Sequence, residues 1–566
     1  MGYRNFNVAV YCPVGNLNAI GDLDKFEKDF RFFEKHVHID KVYLETYRSN
    51  EFIDHGKMLR FKEFFKSKGI KTSGGITTTD KHDILGFHTL CYTNEDHRNR
   101  IKKVSEFTAG LFDEIILDDF YFTNCKCESC VKAKGSKSWS EFRLKLMKEV
   151  TDELIVGPAK KVNPSVNYIV KYPNWYEHFH DTGYNLEDGP KQFDMLYTGT
   201  ETRDPLYTYQ HLPKYLGYFI MRYFENIMPG RNGGGWFDPY ECRYNFGSYA
   251  QQSYLTIFGK AREITLFSLG SLMSKDFESF IPVAGQSFNE MDEIAGSFGN
   301  PVGVSTYRPF HSEGEDYLQN YIGMLGIPLE PYPQYPKAAK NILLTETAAK
   351  DEKIVDKIHQ TLLDGGNVVV TSGLVKALGS KFHQLANVTC TDRKATIRDY
   401  AISSNGISMC QIESSGKDIT IPQMKIATND TWQLVSGLGE DNNFPIFSVF
   451  SYGKGRLYIL TIPDDFGNLY HYPQEVLKAI REAVNPNGTV NIDTVSKVAL
   501  FTYDNDTFVL QSFLRHLQDV KVSVNRPGAK LVNLVSGKEI EGITLKDRTW
   551  FTESVMPEAY KAYKIK

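Results

Sequence analysis

A chain of 566 residues is too long for a single hydrophobic core, so about three domains are expected. Lys plus Arg number 65 against 69 for Asp plus Glu, a net charge of −4, which argues against a nucleic-acid or anionic-membrane partner. The hydrophobic share of 41% with 24% charged residues is that of a soluble globular protein, and the longest apolar runs fall far short of the ~20 residues that span a bilayer.

From residue 6 to about residue 275, short apolar strands alternate with amphipathic helical stretches. Strand 6–12 (FNVAVYC) leads into helix 22–36, and 41–48 (KVYLETYR) into helix 55–69. Strands then follow at 70–79, 114–122, 165–175, 193–203, 233–241 and 262–272, with a helix at WSEFRLKLM after the fourth. Eight strands with intervening helices match a (β/α)₈ TIM barrel. A doubly wound sheet would carry its phosphate fingerprint after the first strand, where this chain reads CPVGNLNAIGD and lacks G-x-G-x-x-G.

The stretch 326–341, GIPLEPYPQYPKAAKN, is proline-rich and reads as a linker. Beyond it a second α/β unit begins with NILLTET and NVVVTSGLVKAL. From about 494 short alternating strands point to a small antiparallel β domain. The expected division is therefore a barrel at 1–327, a linker at 328–340, an α/β domain at 341–493 and a β-sandwich at 494–566. VVVTSGLV is not a nucleophile elbow, so the downstream domains show no chemistry of their own.

Four cysteines carry the most specific signal: Cys91, then Cys125, Cys127 and Cys130 in LDDFYFTNCKCESC. A C-x-C-x-x-C run wraps thiolates around one ion, and a lone upstream Cys supplies the fourth corner of a structural, not catalytic, Zn²⁺ site. Cys12, Cys242, Cys390 and Cys410 show no disulfide spacing and suit reducing surroundings. The N-terminus has no signal-peptide pattern, so a cytoplasmic location, or a periplasmic one for a mature form whose signal was removed, is expected.

Charged residues recur at the C-terminal ends of the strands, which converge on one mouth in a barrel. Paired carboxyls there suit glycoside hydrolysis, one protonating the leaving oxygen and another acting as nucleophile or base. Asp119 is the candidate acid/base and Asp238 the candidate nucleophile or base, with Asp118, Glu201 and Glu241 as alternatives. Asp118 and Asp119 adjoin on a strand, so only one is expected to face the site. Glu201 either pairs with Arg203, itself a candidate substrate-binding residue, or reaches the substrate. Glu45, Lys171 and Trp175 are candidate subsite residues, and Trp236, after three glycines, is a candidate platform for a sugar ring.

The cysteine spacing and the domain order resemble glycoside hydrolase family 42, β-galactosidases with a zinc-bearing barrel, a Rossmann-like, glutamine-amidotransferase-like trimerisation domain and a C-terminal β domain. That family has a lone Cys after the third strand and C-x-C-x-x-C after the fourth, as here. The resemblance implies a homo-oligomer, a trimer above all, and the expected activity is that of an exo-acting glycoside hydrolase working at glycan ends or on short oligosaccharides. The chain departs from it in carrying Asp118-Asp119 where the family has Asn-Glu, and Asp238 where the family nucleophile is Glu. The expectation is therefore a distant relative with its own sugar. Two other readings stand beside it: a catalytically degenerate carbohydrate-binding barrel, and a metal-dependent hydrolase using His88 with Asp118 or Asp119.

Overall fold

Alternating β-branched and aromatic segments with glycine-bounded helices close into a barrel in the computed structural model, which describes residues 2–83, 86–210, 212–242, 245–403, 410–427 and 429–566. The strands are β1 (Asn7–Cys12), β2 (Lys41–Arg48), β3 (Lys71–Ile76), β4 (Glu114–Leu117), β5 (Asn167–Tyr172), β6 (Met195–Gly199), β7 (Asn232–Phe237) and β8 (Glu263–Phe267). Each pairs in parallel with its neighbour, and β1 pairs with both β8 and β2, so the sheet has no open edge. The expected TIM barrel is the observed one.

The barrel is filled by inward-facing side chains, among them Ala9, Tyr11, Tyr43, Ile116, Ile169, Tyr197 and Trp236. The glycine triplet lies inside β7 and is not a flexible turn. A Cβ on Gly234 would fall 2.0 Å from the Glu263 carbonyl oxygen, and one on Gly235 would fall 2.3 Å from Thr256 Cγ2, so only glycine lets β7 approach its neighbours this closely.

The mouth is assembled from the segments that follow the strands. After β3 a hairpin pairs Thr79 with Thr89 and Lys81 with His88 and leads to Cys91. After β4 the cysteine loop ends at the helix Trp139–Val150, whose start is fixed by a capping box between Ser138 and Glu141.

The chain divides into two compact units, Met1–Leu212 with Leu216–Gly296, and Pro213–Tyr215 with Ser297–Lys566. The linker expected at 328–340 is absent. Leu329–Tyr332 is an edge strand paired in parallel with Val304–Tyr307, and an edge position tolerates Pro331, which cannot donate to a ladder. The second unit thus begins before residue 328.

Its larger sheet continues in parallel through Asn341–Leu344, Asn367–Thr371 and Gly455–Leu460, then antiparallel through Asn442–Tyr452, Trp432–Gly439, Val388–Ser403 and Cys410–Ile426. Two antiparallel sheets, formed by strands beyond residue 489 with Pro301–Val302 added at the edge of one, enclose a separate core that includes Val522, Leu510, Phe551 and Tyr563. No helix among the described residues is long and apolar enough to cross a membrane.

Candidate active site and cysteine cluster

One buried ammonium organises the mouth. Lys171, near the end of β5, lies with its Nζ 2.5 Å from Asp119 Oδ2, 3.0 Å from Glu201 Oε1 and 3.7 Å from Asp118 Oδ1. It rests 4.3 Å above the Trp236 ring. Burial alone would lower its pKa, but these carboxyls hold it well above the ordinary lysine value.

Asp118 and Asp119 both reach this ammonium, contrary to the expectation that they diverge. The physical reason is that β4 ends at Leu117, so the two-residue alternation no longer applies. Their surroundings nevertheless differ. Asp118 accepts from Arg48 at 2.7 Å, Thr77 at 3.1 Å and the backbone N–H of Asp119 at 2.8 Å. Burial works against its charge, but Lys171 and Arg48 hold its carboxyl below the usual range. No arginine among the described residues bonds to Asp119. Burial pushes it up to about 7, Lys171 pulls the other way, and Asp118 and Glu201 add to the rise.

Glu45 is buried beneath this pair, accepting from Tyr11 (2.7 Å), Thr77 (2.5 Å), the Val14 N–H (2.7 Å) and Arg48 (3.0 and 3.1 Å). Its acceptor sites are occupied by protein, so it buttresses Arg48 instead of lining a subsite.

On the other side Glu201 follows β6. Burial and then Asp238 raise its pKa against the pull of Lys171. Arg203 pairs with Asp238, not with Glu201. Its guanidinium grips Asp238 bidentately at 3.1 and 2.8 Å and reaches Glu241 at 3.0 Å. Asp238 further accepts from the Tyr240 N–H at 3.1 Å. Glu241 is partly exposed at the rim.

Trp236 is 1% exposed, packed between Tyr11 and Phe267 under Lys171, so it is part of the floor and not an open platform for a sugar. Trp175 is half-buried and meets Phe122 edge-on. Sequence reasoning missed Arg48 and Thr77, and also an aromatic rim in which Phe87 packs on Phe120 (4.6 Å) and Phe120 stacks with Phe122 (6.3 Å). The alternating aromatics of DDFYF were the available signal for that rim.

The four cysteines converge. All their sulfurs lie within 4.8 Å of one another, with Cys91 Sγ 3.7 Å from Cys127 Sγ and 3.5 Å from Cys130 Sγ. A tetrahedral ion with bonds of ~2.3 Å would put sulfurs about 3.8 Å apart. Among the described residues Nε and Nη2 of the buried Arg143 have no hydrogen-bond partner, and Cys130 and Cys125 are among that side chain's electrostatic neighbours, so a negative tetrathiolate suits the charge there. The residues present fit a structural metal. Cys12, Cys242 and Cys390 form no disulfide among the described residues, and the Cys410 side chain lies outside those described. Among the described residues His88 is not gathered with Asp118 or Asp119 into a ligand group, so the metal-hydrolase reading finds no support there.

A closed parallel barrel with a cluster of carboxyls at its C-terminal mouth is a scaffold on which two-carboxyl glycoside hydrolysis can be built. The chain belongs to the family described as "Probable glycosyl hydrolase, catalytic domain", which matches residues 1–307, and it is a glycosidase. The family's C-terminal domain matches residues 489–565, and residues 299–465 match the second domain of uncharacterized protein SSO3021. That protein, from Saccharolobus solfataricus, is 27% identical over 412 residues, covering 66% of this chain and 67% of its own. Among solved structures, the fold resembles an α-L-fucosidase isoenzyme 2 from Paenibacillus thiaminolyticus (TM-score 0.69, 12% identity, 100% of both chains). It also resembles a β-galactosidase from Bacillus circulans sp. alkalophilus (TM-score 0.67, 10% identity, 99% of both chains). These likenesses are of fold, and Gan42B, a GH42 β-galactosidase, shares it too (TM-score 0.66, 12% identity, 100% of this chain and 98% of that one).

Proposed function

We propose that this glycosidase releases terminal sugars from oligosaccharides, with Asp119 as proton donor and Asp238 as nucleophile or base. The observation that carries the reading is the pair of environments. Asp119 is a buried carboxyl poised near neutrality, where a general acid/base works best. Asp238 is gripped by both arms of the Arg203 guanidinium, which fixes the direction its carboxyl faces. In the forward step Asp119 gives its proton to the leaving oxygen as the glycosidic bond breaks. The carboxylate of Asp238 meanwhile supports the developing positive charge, by bonding to the anomeric carbon or by activating water. Glu201 shares Lys171 with Asp119, so it is the first substitute for either role. Glu241 is the more distant one.

The exo mode draws on the fold neighbours, which include an exo-β-1,4-mannosidase (TM-score 0.54, 11% identity) besides those named above. Lys171 and Trp175 would orient the sugar. Digestion of short oligosaccharides should yield monosaccharides from the outset, and D119N and D238N should yield none at matched enzyme concentration. Mid-chain products, or wild-type yields from both variants, would sink the assignment.

A structural Zn²⁺ held by Cys91, Cys125, Cys127 and Cys130 would rigidify the loop after β4. It would supply no step of the reaction, since four thiolates close its coordination sphere. We also infer a homotrimer, from the family 42 resemblance and a second unit without chemistry of its own. Light scattering of the full chain should give three chain masses, and a monomer mass at micromolar concentration would count against it.

A further inference from the structure

The loop that leaves β5 carries a second convergence of metal-binding side chains, distinct from the cysteines. His178, His180 and Asp181 each present one donor atom, and these lie within 4.8 Å of one another. Nδ1 of His178 is 4.0 Å from Asp181 Oδ2, and Nε2 of His180 is 3.9 Å from Asp181 Oδ1, so one carboxylate faces two imidazoles.

The backbone arranges this. His178 stands in the left-handed region, φ +56°, at the start of the short helix Phe179–Thr182, a conformation a histidine adopts at a cost. His180 is buried, and Asp181 is held in place by a 2.6 Å hydrogen bond from Ser140 Oγ to Oδ1 and by Arg143 donating to its carbonyl.

We propose that His178, His180 and Asp181 form an exchangeable site for a first-row transition dication such as Zn²⁺, Co²⁺ or Ni²⁺. Two imidazoles and one carboxylate match the borderline character of those ions and not the all-oxygen preference of Mg²⁺ or Ca²⁺. Bonds of ~2.1 Å put donors about 3.0 Å apart in an octahedral set and about 3.4 Å in a tetrahedral one. Modest rotations of the more exposed His178 and Asp181 side chains close the remaining gap. Three protein donors leave positions for water, so this ion exchanges where the tetrathiolate ion does not.

The same loop donates from Asn174 Nδ2 to the Glu201 carbonyl (2.5 Å) and from Tyr184 to the Asp119 carbonyl. An ion here would brace the segment against which both carboxyl-bearing turns rest.

The test uses the full chain as purified, dialysed against a mild chelator that leaves the cysteine-held ion in place, and Co²⁺ alone as probe at pH 7.5. Expected is one added equivalent with weak visible absorption and no intense thiolate charge-transfer band, its affinity lowered at least about 100-fold in H178Q/H180Q. Should that variant fail to fold, H178Q/D181N alters the two more exposed positions and gives the same readout. No Co²⁺ binding tighter than about 1 mM, or binding undiminished in a folded variant, would overturn the site. No sugar enters the assay, so its outcome is separate from the glycosidase mechanism.

Discussion

Each end of the barrel sets one lysine among carboxyls, the half-buried Lys41 at one and the buried Lys171 at the other, yet Glu114 is held down at the first while Asp119 and Glu201 are pushed up at the second. At the N-terminal end Lys41 bridges Glu114 (2.8 Å) and Glu263 (2.9 Å). Ser73 and Asn167 also donate to Glu114, and Tyr43 and Tyr197 to Glu263. Burial opposes the charge on Glu114, but Lys41 and these donors hold it below the usual carboxylate value. At the mouth three carboxyls share one ammonium, and Asp119 and Glu201 are pushed up instead. Glu114 has two side-chain donors besides its lysine and is less deeply buried, whereas Asp119 among the described residues has Lys171 alone. The saturated end holds the barrel together, and the undersupplied end keeps a proton available for chemistry.

The largest expected effect breaks the comparison at its chemical end. D119N should lower turnover on natural glycosides by roughly 10²–10⁴-fold, with much smaller losses on aryl glycosides whose leaving groups need no proton. D238N should lose activity on both kinds of substrate, because its role does not depend on the leaving group. Steady-state rates across a leaving-group series distinguish the two, and equal losses for D119N on every substrate would remove it as the acid.

Next come the two lysines. K41M and K171M should each destabilise the fold by about 3–5 kcal/mol, because each leaves buried carboxyls without their counter-charge. Only K171M should also move the pH dependence of turnover, to higher pH, since the Asp119 proton is then held more firmly. Denaturant melts paired with pH–rate profiles read both effects, and an unmoved profile in K171M would show that the ammonium does not set the Asp119 proton.

The stability of the wild type should record the same contrast more gently. Asp119 has a folded-state pKa above its unfolded value, so its contribution is fully present below about pH 4 and is lost as pH rises through about 7. Glu114 and Asp118 are depressed, so their contribution is present above the ordinary carboxylate range and is lost as pH falls through their folded values. Thermal melts between pH 4 and 8 should show the decline toward pH 8 flattened in D119N.

The smallest effect on chemistry is expected outside both clusters. C127S should release the proposed zinc, read by elemental analysis, and lower the melting temperature by several degrees. Turnover of the protein that stays folded should change far less.

Much of this was legible in the sequence because strand periodicity and cysteine spacing are local signals. The eight strands fall where the apolar runs lie, and KVYLETYR is β2 without adjustment. Partner identity was not legible. Arg203 was expected beside Glu201 but binds Asp238, because that pairing depends on how two loops meet in space. Arg48 gave no sign of itself, since one arginine at a strand end looks like any other until Asp118 and Glu45 stand on either side of it. The proline-rich stretch misled for a related reason, because a strand at a sheet edge can carry the residues that elsewhere mark a linker.

The central claim is that the mouth keeps the Asp119 proton available near neutrality for transfer to the leaving group. The most direct measurement is kcat/KM against pH for wild type and D119N on an aryl glycoside that both cleave, with a leaving group that still gains from protonation. The account expects the wild-type profile to fall above about pH 7 and that limb to vanish in D119N. A limb that persists unchanged in D119N would contradict it and assign the titrating proton to another group, Glu201 first.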